Sequence, residues 1–150
     1  MVDTSKSSSH EQQNAEVYIA SIVEKWIGCS VEKNHKIALT DGVYIEPDLY
    51  SEKDRIVCEI FAHIGLLKSG QQHKIAQDIL KMLLLEKSQS VTYRKIIVVV
   101  DDKVEKYLNG KSFIAESIRQ FGIEIIRINL SEDLYDIILN AQERQIMINT

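Results

Sequence analysis

Ile96-Ile97-Val98-Val99-Val100 is an unbroken run of β-branched residues that stops at Asp101-Asp102. Two heavy groups on Cβ stiffen the side chain and favour extended backbone. A strand that wets one face alternates apolar and polar residues; a strand without alternation is buried on both. The run therefore predicts a central strand covered on both sides, which requires a layer of helices above and below one sheet.

The rest of the chain supplies those layers. Val17, Ile19, Ala20, Ile22, Val23 and Trp26 recur at near-helical spacing and predict a helix over 14–27, ended by Gly28. A second helix is predicted over 71–86, with Ile75, Ile79, Leu80, Met82, Leu83 and Leu84 as its apolar face. A third runs over 112–121 to Gly122, and a fourth from Ser131, its N-cap, to about Met147. Strands are predicted over 36–39, 43–49, 55–62 and 124–130. Polar turns, Thr40-Asp41-Gly42 and Ser51-Glu52-Lys53-Asp54, separate the first three. Residues 1–12, rich in Ser and Gln without apolar periodicity, predict a disordered tail ahead of a single α/β domain over 13–150.

Composition bounds the function. No apolar run approaches the roughly 18 residues of a membrane span, and Met1–Lys6 holds no secretory leader. Two cysteines, Cys29 and Cys58, predict a reducing, cytoplasmic setting without a disulfide framework. A net charge of −4 argues against a simple electrostatic nucleic-acid binder. Two local basic groups, Lys33/His35/Lys36 and Lys68/His73/Lys74/Lys81, stand against that total, either as a nucleic-acid surface or as ordinary solvated faces.

The residues that carry chemistry are Pro47-Asp48 and, eleven positions on, Glu59. Glu59 interrupts Ile56-Val57-Cys58-Glu59-Ile60-Phe61, and a carboxylate inside an apolar strand is costly without a partner or a metal. Two acids on neighbouring strands suit a hard divalent cation such as Mg²⁺ or Mn²⁺, which activates water and stabilises a transferring phosphoryl group. The plainer readings are an Asp48 that caps a turn and a Glu59 that faces solvent from an edge strand.

An opening helix, a strand meander with Pro-Asp and then Glu, a crossover helix and a buried strand resemble the PD-(D/E)XK nuclease superfamily over about 14–100. The resemblance implies a restriction-endonuclease-like three-layer α/β/α sandwich around a mixed sheet of about five strands. It implies metal-dependent cleavage of nucleic acid, DNA before RNA, with Mg²⁺ or Mn²⁺ held by Asp48 and Glu59, the Ile60 carbonyl and an additional acid, Glu16. Glu16 also reads as an ordinary acid favoured by the start of a helix. The chain departs from the pattern where the family carries a lysine two residues after the second acid: Phe61 stands there. Glu59, Phe61 and His63 share one side of their strand, so His63, or Lys74 on the crossover helix, is the candidate to assist the attacking water. Gln72 and Gln77 stand where several members carry a glutamine. The alternative is a catalytically inactive fold that serves as a protein-interaction or assembly module, with a homodimer contact at Ile146-Met147-Ile148 as one form.

Other signals are weaker. Cys58, His63 and His73 match no zinc spacing. Leu108-Asn109-Gly110-Lys111-Ser112 lacks the earlier glycine of a phosphate loop. Asp101-Asp102 reads as a small-molecule site at a strand end or as a charged strand terminus.

Overall fold

A computed structural model describes residues 4–148, with side chains from 15 to 147. Twelve elements follow one another: α1 (Thr4–Ile27), β1 (Glu32–Lys33), β2 (Ile37–Thr40), β3 (Val43–Ile45), β4 (Leu49–Ser51), β5 (Ile56–Phe61), α2 (Ser69–Gln89), β6 (Arg94–Val99), α3 (Asp102–Leu108), α4 (Phe113–Gln120), β7 (Glu124–Arg127) and α5 (Glu132–Ile148).

The main sheet has five strands in the order β1-β4-β5-β6-β7. β4 runs antiparallel to both β1 and β5, whereas β6 lies parallel to β5 and β7, so the sheet is mixed. β2 and β3 form a separate hairpin. The expected central strand is β6: Ile96, Ile97, Val98 and Val99 are all at most 1% exposed. Its side chains split between two cores. Ile97 and Val99 join Val57 and Phe61 beneath α2, α3 and α4. Ile96, Val98 and Val100 join Cys58 and Ile60 against α1 and α5. The molecule is thus a helix–sheet–helix sandwich about a mixed sheet.

Several expectations are corrected. Helix α1 begins at Thr4, ahead of the start predicted at 14; no Pro or Gly interrupts residues 4–12, and residues 1–3 of the expected tail lie outside the described residues. The strand predicted over 43–49 is two strands, because Pro47 has no N–H to give a ladder. β3 then pairs with β2, and β4 with β5. β1 and α3 were not expected. The first is a two-residue edge; the second is a short helix capped by the Asp101 side chain, which accepts from the Lys103 N–H. The apolar face of α2 is narrower than its sequence implies, with Leu80 64% and Leu84 43% exposed. Val17 and Trp26 of α1 likewise lie exposed rather than in the core. Ser131 caps α5 as expected, its hydroxyl accepting from the Leu134 N–H.

Candidate active site

Pro47 ends the β3 segment and delivers Asp48 to the head of β4. Pairing of Leu49 with Cys58 brings Asp48 alongside the middle of β5. There Asp48 Oδ2 accepts from the Ile60 N–H at 2.7 Å, continuing the ladder with a side chain where backbone pairing has stopped. The Asp48 side chain is thus bound across the strand pair.

Glu59 lies at the centre of β5, with β4 on one side and β6 on the other. It is 1% exposed, which removes the edge-strand reading. Alternation along β5 sends it toward α2, where Asp78 is also buried. Lys81, one turn further along α2, reaches in between: its Nζ is 3.1 Å from Glu59 Oε1 and 3.4 Å from Asp78 Oδ1. Lys74 Nζ approaches Asp78 from the other side at 3.8 Å. The contact of Lys81 with Glu59 is close but not a directed hydrogen bond, since Oε1 is a buried oxygen that lacks a hydrogen-bond partner.

The electrostatics follow from this crowding. Burial, then the charges of Asp48 and Asp78, push the Glu59 carboxyl up to about 9, and Lys81 offsets only part of that. Burial also raises Asp78, against the pull of Lys74 and Lys81. For Lys81, burial works to remove the proton, but Glu59 and Asp78 outweigh it and hold the ammonium. Glu16 is raised by its surroundings and then by Asp48.

A cleft of about 570 Å³ opens beside this cluster. Asp48, Glu16, His63 and Lys74 line it, together with Lys68 and Gln71 at the start of α2 and Gln142 and Ile146 of α5. Glu59 and Lys81 do not line it. The loop after β5 that forms its rim is held in place: the Gln142 side chain both donates to the Ile64 carbonyl and accepts from the Ile64 N–H, and Asp101 Oδ2 accepts from the Gly65 N–H.

The site residues expected from sequence thus fall into two groups. Asp48 and Glu59 meet across the β4–β5 pair, with Glu16 exposed at the cleft mouth. His63 and Lys74 reach the cleft rather than Glu59: the His63 ring tilts over Phe61 and its Nε2 lies 3.1 Å from the Leu66 carbonyl oxygen, and Lys74 turns to Asp78. Gln72 is turned to the Leu67 carbonyl oxygen. Among the described residues no three His, Cys, Asp or Glu side chains converge as a metal site. Sequence reasoning missed Asp78 and the role of Lys81. One signal was present: Asp78 falls between Ile75, Ile79 and Met82 on the apolar stripe of α2, and Lys74 and Lys81 stand four before and three after it.

No protein-family model, curated protein or solved structure matches this chain. Among the described residues no helix is long and apolar enough to cross a membrane.

Proposed function

We propose that the cleft beside Asp48 is the active site of a metal-dependent nuclease on a restriction-endonuclease-like fold, hydrolysing phosphodiester bonds, with DNA as the expected substrate. One observation carries the reading: Lys81 brings an ammonium to 3.1 Å from Glu59, supplying from α2 the cation that Phe61 does not supply from β5.

Asp48 and Glu59 are the pair that would offer oxygens to a hard cation. Asp48 adjoins Glu59, Lys81 bridges Glu59 and Asp78, and Glu59 keeps an oxygen without a hydrogen bond. All the donors are oxygens, the chemistry that Mg²⁺ and Mn²⁺ prefer. Asp48 and Glu59 would hold the ion, with Glu16 nearest the cleft mouth. The bound ion supplies a lowered pKa for water and charge neutralisation at the phosphoryl group. The protein's own groups have distinct tasks. Lys81 holds Glu59 and Asp78 in place and keeps its proton at Nζ. Lys74, 55% exposed, offers its ammonium to a substrate phosphate from the cleft wall. His63, which also lines the cleft, orients the scissile group.

The test is cleavage of plasmid and single-stranded DNA in Mg²⁺ and in Mn²⁺. Asp48→Asn, Glu59→Gln and Lys81→Met should each lower the rate by roughly 10²-fold or more. Activity that persists in all three rejects the assignment.

A second reading has its own support. Glu59 and Lys81 contact each other and do not line the cleft, as expected of an interaction or assembly module that retains the nuclease-like architecture. That reading predicts no cleavage and no thermal stabilisation by Mn²⁺. A functional site instead gains about 2.7 kcal/mol at 100 times the dissociation constant.

A further inference from the structure

Besides the acids Glu16 and Asp48, the cleft is lined by residues of two opposite kinds. One is polar and basic, built from Lys68, Gln71 and Lys74 at the start of α2. The other is apolar and includes Ile146 of α5 and Leu66, which is 80% exposed. His63 also lines the cleft and is only half-buried. A duplex presents phosphates outward and keeps its base faces stacked inside, so it has no use for an apolar wall. A single strand presents both, and proteins that bind it combine a cationic track with surfaces on which bases lie. At about 570 Å³ the cleft has the size of an ordinary ligand pocket. The chain's net charge of −4 also gives it no long basic surface for a duplex backbone.

We infer that this cleft takes single-stranded nucleic acid, with a phosphate against Lys68 and Lys74 and the adjoining base against Leu66 and Ile146. The inference rests on the nuclease reading for its chemistry, but binding is independent of cleavage. The rim that carries Leu66 is pinned by Gln142 and Asp101, so the apolar wall is in place before any strand arrives.

The experiment is fluorescence anisotropy in EDTA with the full chain and three probes: labelled oligothymidylate and oligouridylate of about 12 nucleotides, within the site sizes of known single-strand binders, and a GC-rich duplex of the same length. A single strand should bind at least about 10-fold tighter than the duplex, and the tighter of the two says whether the cleft takes DNA or RNA. With two lysines engaged, the slope of log K against log salt should be about −1.4. Leu66→Ser, at a position too exposed to affect folding, should weaken single-strand binding by about 5-fold or more, the factor that corresponds to roughly 1 kcal/mol of apolar contact with a base. Lys68→Gln with Lys74→Gln should flatten the salt slope. Equal or tighter duplex binding, no binding to either strand, or indifference to Leu66→Ser overturns the inference. Single-strand binding without cleavage in Mn²⁺ leaves it standing and rejects the nuclease; cleavage confined to duplex does the reverse.

Discussion

Glu59 is the residue on which stability and the proposed function pull in opposite directions. Its carboxyl is raised from an ordinary 4.5 to about 9, chiefly by burial and then by Asp48 and Asp78. A folded-state value above the unfolded one means that the native state binds the extra proton between the two. The contribution of Glu59 is thus fully favourable below about pH 4.5 and is lost as pH rises toward about 9. Stability of the metal-free protein should fall over that window. Glu59→Gln, which mimics the protonated form, should flatten the fall and raise the melting temperature at pH 8 by roughly 2–8 °C, equivalent to about 1–2 kcal/mol in a chain of this size. Thermal melts of both proteins in EDTA across that range are the check, and a steeper profile for the variant would reject the account. Glu59 was legible as an anomaly in an apolar strand. Lys81 was not, because a lysine on a helix reads as solvated until the helix is docked.

Between β5 and α2 the connection does more than turn the chain. Gly65 takes a positive φ of 94°, a backbone state that a residue with Cβ rarely adopts. Gln142 and Asp101 then fix the loop from two different elements. Gln142→Leu removes both amide bonds to Ile64 and leaves a partly buried backbone pair without partners. It should cost about 1–3 kcal/mol and raise amide exchange at Ile64 and Gly65 ahead of global unfolding, as measured by native-state hydrogen exchange. Unchanged protection there would mean that the loop is held by packing instead. The loop's glycine ends were visible in the sequence; its anchoring was not, since Gln142 lies 78 residues from Ile64. The same limit applied to the strand predicted over 43–49. Local alternation could not say that Pro47 divides it between two sheets.

The two faces of β6 make the molecule one cooperative unit. Ile97 packs beneath α2 and Ile96 beneath α1 and α5, each in a separate core joined only through the sheet. Ile96→Ala and Ile97→Ala should each destabilise by about 2–5 kcal/mol, with a single denaturant transition in both cases. Two transitions in either variant would show that the helical layers unfold separately. The sequence by itself determined this much: a non-alternating β-branched run must be buried on both faces, so helices must cover both, and an acid inside an apolar strand must find a partner. Both statements follow from the cost of solvating apolar surface and desolvating charge, which composition and order alone reveal. Only the tertiary structure decided which partner Glu59 finds. Docking of α2 across β5 brings Asp78 and Lys81 to it from about twenty positions away in the chain, a distance over which no local periodicity carries information. It also decided that Asp48, and not Glu59, faces the cleft, because pairing register and helix placement, rather than residue type, set which side of a wall a carboxylate occupies.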